Sequence, residues 1–269
     1  MWRSASDFGN REEREGREGR REVLAISGLA KSFDGVRAVD GFSVQVKAGT
    51  IVGLIGPNGA GKTTAFHLIT GFLEPDAGEV QFEGRVLKGL APHRISRLGV
   101  ARTFQNLRLI SRLTVLDNLL LAFPGQAGEG VGGALLARRF RRQETRNHES
   151  ASALLESVGI ADKAAELAGE VSYGQQKLLS LTCCLATGAR LLLLDEPVAG
   201  VAPQLVEQIV GMLLRLRGEG KTIVVIEHNL RAIADLCDNV VVMDEGRKIA
   251  EGAPQTVLAD ERVAEAYLR

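Results

Sequence analysis

Residues 51–64, IVGLIGPNGAGKTT, decide how the rest of the sequence is interpreted. The run from Ile51 to Ile55 is apolar and short, which predicts a buried strand. The next stretch, GPNGAGKT, matches G-x-x-x-x-G-K-[ST] at every fixed position, and the residues from Thr64 to Thr70 predict a helix. A strand, a glycine-rich loop and a helix in this order form the context in which this pattern holds phosphate.

The loop offers the groups that a triphosphate requires. Its glycines let the backbone approach closely with successive N–H groups pointing inward, and the helix adds free N–H groups and a positive dipole end. We expect Lys62 to reach the β- and γ-phosphates and Thr63 to ligate Mg²⁺. The predicted nucleotide-binding residues of this stretch are Gly56, Pro57, Asn58, Gly59, Ala60, Gly61, Lys62, Thr63 and Thr64.

An ordinary glycine-rich turn before a helix is the alternative interpretation of this stretch. From average residue usage, its fixed positions would coincide by chance in roughly one chain in a hundred of this length. The flanking strand and helix make the coincidence rarer still. The sequence therefore predicts that the protein binds a nucleoside triphosphate.

Composition excludes several other classes of protein. The 269 residues are 45% hydrophobic, which is enough for one sizeable core with an attached lobe. Lys+Arg and Asp+Glu balance at 33 each, so no overall basic charge points to nucleic acid. The three cysteines (Cys183, Cys184 and Cys237) lack metal-ligand spacing and are expected to be buried thiols in a reducing compartment. No apolar stretch has membrane-span length and the start has no signal-peptide core, so we expect a cytoplasmic, soluble chain that needs partner subunits for any membrane role.

The chain divides into a tail and an α/β domain. Residues 1–21 alternate charge with glycine and predict a disordered tail, whereas residues 22–269 predict one domain. Its central parallel strands are predicted from short, wholly apolar runs at 51–55, 191–194, 223–226 and 240–243. Residues 106–172 predict a helical lobe inserted into this core. The arginines at 138, 139, 141 and 142 indicate a solvated helix face or, alternatively, a contact with anionic lipid headgroups.

Polar residues follow two of the predicted parallel strands. Because ligands sit beyond the carboxyl ends of parallel strands, Asp195, Glu196 and His228 should meet the phosphate loop at one edge. We expect Asp195 to hold Mg²⁺, Glu196 to accept a proton from the attacking water, and His228 to contact the γ-phosphate. The alternatives are an acidic pair that merely ends a strand and a structural histidine.

Two further residues are candidates on weaker local signals. Gln105 lies at the junction between core and helical lobe, where it can touch Mg²⁺ or the attacking water, or can be an ordinary junction residue. Phe33 precedes the turn Asp34-Gly35, and it either stacks on an adenine ring or belongs to the hairpin core.

A second anion site is predicted at a helix start. Ser172, Tyr173, Gly174 and Gln175 open the helix that leads back to the core, with a serine at the N-cap position. This site is far in sequence from the phosphate loop, and one chain is not expected to bring the two together. It becomes useful when it meets the γ-phosphate held by another chain.

Taken together, these motifs resemble the ATP-binding-cassette (ABC) ATPases. The resemblance rests on the phosphate loop, Gln105, VSYGQQ, LLLLDEP and His228, in this order and spacing, and covers about residues 22–269. It implies a P-loop α/β core with an antiparallel β subdomain and an inserted helical subdomain. It also implies head-to-tail dimers with two ATP molecules, each held between the phosphate loop of one chain and Ser172–Gln175 of the other. ATP binding closes such dimers and hydrolysis reopens them.

A narrower resemblance is to the ATPase subunits of importers for branched-chain amino acids, urea or short amides. It rests on Tyr173, EPVAGVAP, IEHNL and the tail IAEGAPQTVLADERVAEAYL. It implies membrane permease subunits, a second ATPase subunit, an indirectly attached solute-binding protein, and a peripheral location on the cytoplasmic face of the inner membrane. Ala202 departs from the pattern, because cassettes usually carry Asp there. A soluble cassette acting on ribosomes or DNA, and an inactive regulatory module, are the other interpretations.

Overall fold

The structure is a computed structural model that describes residues 21–104, 107–125 and 137–268, without the side chains of 137–141 and 268. Most of the expected tail, residues 1–20, lies outside the described residues. The strands are β1 (Glu22–Phe33), β2 (Val36–Lys47), β3 (Ile51–Ile55), β4 (Ala77–Phe82), β5 (Arg85–Val86), β6 (Val100–Arg102), β7 (Leu191–Asp195), β8 (Thr222–Ile226), β9 (Asn239–Asp244) and β10 (Arg247–Gly252). The helices are α1 (Lys62–Ile69), α2 (Pro92–Leu98), α3 (Val115–Leu121), α4 (Ala137–Ser157), α5 (Tyr173–Ala186), α6 (Pro203–Gly218), α7 (Leu230–Leu236), α8 (Pro254–Leu258) and α9 (Glu261–Leu268).

A six-stranded sheet forms the centre of the molecule, in the order β10-β9-β3-β8-β7-β6. All neighbouring strands pair in parallel except β10, which runs antiparallel to β9. The four predicted central strands, β3, β7, β8 and β9, lie where the apolar runs place them. They are buried on both faces, which explains why they read as continuous apolar runs.

Alternate residues of these strands pack into two separate cores. Ile51 and Ile55 of β3 face a core built with helices, whereas Val52 and Leu54 face a core shared with the antiparallel sheet. The same alternation runs through β7, β8 and β9, as the period of two in a strand requires. The parallel sheet therefore sits between a helical layer and a β layer, which fixes its position firmly.

The antiparallel sheet has the order β2-β1-β4-β5. Its first hairpin turns at Asp34-Gly35, where φ is 47° and 86°. Two successive residues with positive φ are what a type I′ turn requires, and Asp-Gly is a preferred sequence for it. The buried side chains of Phe42 and Leu24 pack this sheet against the parallel sheet.

Residues between β6 and α5 are mainly helical where they are described. α3 begins at the N-cap Thr114, whose hydroxyl accepts a hydrogen bond from the Asp117 N–H. The amide of buried Asn118 bonds both the N–H and the carbonyl of Ile110, at 2.8 and 3.0 Å, and so fixes the chain that leads into α3. The boundaries 106–172 of the predicted helical lobe stay a prediction.

The end of the chain was not predicted from the sequence in any detail. β10, RKIAEG, is an exposed edge strand with little apolar content, and α8 and α9 are short. These elements are held by tertiary contacts, since Val257 and Val263 are buried in the helical core and Ala266 is buried beside them in sequence. Within the described ranges, no helix combines the length and the apolarity that a membrane crossing needs.

Ala202 caps helix α6 without a side-chain hydrogen bond, in the extended conformation that capping residues adopt (φ −64°, ψ 149°). Replacing it with Asp supplies an acceptor for a free N–H and a negative charge at the positive end of the helix. We expect Ala202→Asp to raise the free energy of unfolding by about 1 kcal/mol, measured by urea denaturation. Ala153→Asp, at an exposed position inside α4, is the matched control and should give no such gain. Equal effects of the two substitutions would contradict the capping argument.

Candidate nucleotide-binding and catalytic site

Three loops meet at the carboxyl edge of the parallel sheet. β8 pairs with β3 on one side and with β7 on the other, in a register that sets Leu54 and Asp195 both beside Ile226. The chain therefore leaves these strands at neighbouring points, into the phosphate loop, Glu196 and His228. The predicted convergence of these groups is confirmed.

The phosphate loop requires its glycines for steric reasons. Gly56 and Gly61 have φ of 146° and 96°, and a Cβ on them would lie 2.0 Å from the Met243 carbonyl oxygen and 2.1 Å from that of Ala38. Only glycine fits such close backbone approach. The loop is thus wedged between β9 and β2, with its backbone held in one shape.

Lys62 is the buried cation of this loop. Its ammonium donates hydrogen bonds to the carbonyl oxygens of Gly56 and Pro57, each at 2.8 Å. Burial lowers the pKa of Lys62, whereas Glu196 and Asp195 counteract this effect by their negative charge. Thr63, the next residue of α1, is exposed. An anion that replaces the two carbonyl contacts would give Lys62 a charged partner instead of neutral ones.

Glu196 and His228 lie side by side, with 3.1 Å between Glu196 Oε1 and His228 Nε2. The Glu196 backbone has φ of 50°, a conformation that non-glycine residues seldom adopt and that clusters at functional sites. Its N–H donates to the Ile226 carbonyl at 2.9 Å, and its carbonyl accepts from the ammonium of Lys177. The pair remains accessible, since 21% of the Glu196 side chain and 37% of the His228 side chain are exposed.

Asp195 is buried at the end of β7. Its N–H donates to the Thr103 hydroxyl at 2.9 Å, and its Oδ2 accepts from Arg102 Nη2 at 3.1 Å. Burial raises the pKa of Asp195, and the bond from Arg102 opposes this shift. A carboxylate oxygen is a ligand that suits Mg²⁺. Among the described residues no group of three or more His, Cys, Asp or Glu is placed to hold a metal ion.

Ser172 begins α5 with a complete capping box. Its hydroxyl accepts from the Gln175 N–H at 3.3 Å, and the Gln175 side chain accepts from the Ser172 N–H at 2.9 Å. Ser172 and Tyr173 are both exposed, and a Cβ on Gly174 would lie 2.4 Å from the Leu205 side chain. The predicted second anion site is thus an ordered, open helix start. Its use by another chain stays a prediction.

The structure does not test the predicted contacts of two further site residues, Phe33 and Gln105. Phe33 ends β1 with 41% of its surface exposed, and the Lys31 ammonium lies 5.7 Å from its ring centroid. Stacking of Phe33 on adenine therefore stays a prediction. Gln105 lies outside the described residues, so its predicted contact with Mg²⁺ or the attacking water also stays a prediction.

Sequence reasoning missed three residues that support the site. The buried Glu227 carboxylate accepts from the Val198 N–H at 2.7 Å and from the His228 N–H at 3.2 Å, which ties the loop after β7 to the loop after β8. Burial raises the pKa of Glu227. Tyr267 of α9 accepts from the Gly56 N–H at 2.8 Å, and Arg102 holds Asp195. Only Glu227 had a usable signal, as an acidic residue at the end of an apolar strand.

All three cysteines are free thiols, as expected. Burial raises the pKa of Cys183, Cys184 and Cys237 to about 12 in each case. The described side chains therefore include no reactive thiolate, and the cysteines pack as small apolar residues.

A family model described as "ABC transporter" matches residues 39–199, which is more than half of the chain. The chain belongs to this ABC transporter family. Family membership confirms the predicted fold class, nucleotide binding and ATPase activity of this cassette. A second model, "Branched-chain amino acid ATP-binding cassette transporter", matches residues 247–268, which include the unpredicted β10 and α9.

Curated relatives of the cassette carry transport names. It is 38% identical to the high-affinity branched-chain amino acid transport ATP-binding protein BraF of Pseudomonas aeruginosa, over 92% of this chain and 98% of the relative. It is 36% identical to the LivG protein of the same description from Escherichia coli K12, over 91% and 97%. The narrower resemblance found in the sequence is thereby confirmed.

Solved structures agree with the fold. A nucleotide-free ATP-binding cassette from an ABC transporter matches with a TM-score of 0.80 at 35% identity, covering 91% of this chain and 98% of that one. The ADP conformation of an ATP-binding cassette matches with a TM-score of 0.81 at 36% identity, covering 92% and 99%.

The Glu196–His228 geometry predicts the effect of removing the carboxylate. We expect Glu196→Gln to lower the ATPase rate constant by about 10²–10⁴-fold, because an amide cannot accept the proton of the attacking water. Nucleotide affinity should stay within a factor of about three, since binding relies on the phosphate loop. Glu207→Gln, at an exposed position on α6, is the matched control. Steady-state turnover close to that of the unchanged cassette would remove Glu196 from the role of base.

The hydrogen bond from Gly56 to Tyr267 gives a second prediction. Tyr267→Phe keeps the ring but leaves the Gly56 N–H without its acceptor, which should lower the free energy of unfolding by about 1–3 kcal/mol. Because Gly56 is the first residue of the phosphate loop, nucleotide affinity should fall as well. Denaturant titration and fluorescence titration with nucleotide measure the two effects. Unchanged values in both would show that the C-terminal helix does not support the loop.

Proposed function

We propose that this cassette is the ATP-binding and ATP-hydrolysing subunit of an importer for branched-chain amino acids or related amino acids and amides. The observation that carries the proposal is the convergence of Lys62, Asp195 and the Glu196–His228 pair at one edge of the parallel sheet. The names of the relatives and the match of the C-terminal segment support the transported class.

In this proposal each residue has a separate task. The phosphate-loop amides and Lys62 bind the β- and γ-phosphates, and Phe33 stacks on the adenine. Glu196 accepts a proton from the water that attacks the γ-phosphate, while His228 holds the Glu196 carboxylate and contacts the γ-phosphate. Lys177 keeps the Glu196 backbone in its strained position by bonding its carbonyl oxygen.

Mg²⁺ belongs to the same proposal. Thr63, Asp195 and Gln105 are the residues that would hold it, directly or through water. When bound, the ion neutralises charge on the phosphates. Asp195 is already oriented for this task by Thr103 and Arg102.

A single chain builds only half of the proposed site. Ser172, Tyr173, Gly174 and Gln175 form an exposed helix start, and the hydrogen bonds of Ser172 run within its own helix. In the proposal this start meets the γ-phosphate that a second ATPase subunit holds, and the second subunit is a copy or a different chain. ATP then closes the pair because it is gripped from both sides, and hydrolysis opens it.

A groove of about 450 Å³ is the proposed docking place for the membrane permease subunits. It runs between the core and α3, and its lining is largely apolar, including Phe72, Ile110 and Leu121, which are 43%, 50% and 58% exposed. Exposed apolar surface of this kind marks interaction sites. Arg102 also lines the groove and bonds Asp195, so the groove adjoins the proposed nucleotide site.

Reconstitution tests the proposed function. The chain is co-expressed with permease subunits and a solute-binding protein of a branched-chain amino acid importer, and the complex is placed in vesicles. We expect co-purification, and ATP-dependent uptake of leucine, or of urea or a short amide, that Glu196→Gln lowers at least about 100-fold. A cassette that hydrolyses ATP but co-purifies only with ribosomes or DNA would support the soluble alternative instead.

A further inference from the structure

The side chain of Arg102 is an unusual occupant of the space beside Asp195. It ends β6, and only 4% of its side chain and 2% of the Asp195 side chain are exposed. Buried arginines normally form several hydrogen bonds, because the guanidinium carries five N–H donors. Here a single contact, Nη2 to Asp195 Oδ2 at 3.1 Å, joins the two charges.

The other nitrogens of this guanidinium are buried without hydrogen-bond partners. Among the described side chains, Arg102 Nε and Nη1 are the buried nitrogen or oxygen atoms that lack one. Aromatic rings hold the group instead, since its central carbon lies 5.4 Å from the Phe66 centroid and 5.0 Å from the Phe104 centroid. A group with unsatisfied buried donors is expensive in free energy, so its retention calls for a functional explanation.

Charge balance supplies that explanation. A buried carboxylate needs a counter-charge, and Arg102 is the cation bonded to Asp195. Arg102 contacts Asp195 through a single carboxylate oxygen and not as a bidentate pair. The arginine therefore supplies a positive charge while it occupies only one oxygen of the carboxylate. Arg102 thus holds the carboxylate through Oδ2, and Oδ1 is left for a second cation.

We propose that Arg102 is a positioning residue for Asp195. Arg102 acts as the counter-charge of Asp195 when no metal ion is bound, and it thereby sets how strongly nucleotide binding depends on Mg²⁺. The inference rests on the role of Asp195 in the proposed function. Two cations that share one carboxylate weaken each other, and this coupling is reciprocal. Without Arg102, the Asp195 charge repels a metal-free triphosphate and attracts Mg²⁺ more strongly.

The test compares nucleotide affinity with and without the metal. A fluorescent, non-hydrolysable ATP analogue is titrated into the purified chain in EDTA and in saturating MgCl₂. The quantity recorded is the Kd in EDTA divided by the Kd in MgCl₂. We expect Arg102→Met to raise this ratio by about tenfold, through weaker binding in EDTA. Arg102→Lys keeps the positive charge and should stay near the unchanged protein.

Arg108→Met is the matched control. Arg108 is exposed and stacks on the same Phe104 ring at 3.8 Å, but its charge is not bonded to Asp195, so the ratio should not move. Arg102→Gln replaces the Met variant if the Met variant does not fold. Glutamine keeps a polar amide near Asp195 but has no charge, so the same rise in the ratio is expected. Thermal unfolding of every variant monitors the fold.

The outcomes separate the inference from the proposed function. A ratio that is unchanged in Arg102→Met and Arg102→Gln, or equal losses of affinity in both buffers, would overturn the inference. If Asp195→Asn also leaves the ratio unchanged, the assignment of Asp195 to Mg²⁺ fails with it. If Asp195→Asn lowers the ratio while the Arg102 variants do nothing, the proposed function stands and only the role of Arg102 is lost.

Discussion

Parallel pairing of β3, β8 and β7 constrains everything that the candidate site does. The pairing is possible because each strand is apolar on both faces and is covered by a helical core on one side and a β core on the other. Once the strands run side by side in one direction, their following loops have to emerge together. The phosphate loop, Glu196 and His228 are thus neighbours by consequence of burial, although more than a hundred residues separate the first from the others.

Buried charge is the second theme of the site. Lys62, Asp195, Arg102 and Glu227 all lie in or beside the convergent edge with little exposure. Each is stabilised by a specific partner: carbonyl oxygens for Lys62, a carboxylate for Arg102 and backbone N–H groups for Glu227. Such groups cost free energy unless they are paired, and a site that must bind a highly charged ligand retains them ready for use.

Local patterns in the sequence were sufficient to predict the strand–loop–helix unit, the central strands and the polar residues that follow those strands. Those signals are local: apolar runs, glycine spacing and the polar residue after a strand. Tyr267 and Arg102 could not be found in this way, because they act on Gly56 and Asp195 across 211 and 93 residues of sequence. β10 was missed because it contains few apolar residues, and α9 was missed because it is only eight residues long. Both are held by packing on the core.

The central claim is that a triphosphate is held at this edge, with its terminal phosphate beside Glu196 and His228. A crystal structure of the Glu196→Gln variant grown with ATP and Mg²⁺ tests it most directly. The account predicts the β-phosphate among the backbone N–H groups of the phosphate loop, Lys62 turned from its two carbonyl oxygens to the phosphates, and the γ-phosphate within hydrogen-bonding distance of His228. A nucleotide bound elsewhere, with Lys62 still on the carbonyl oxygens of Gly56 and Pro57, would contradict it.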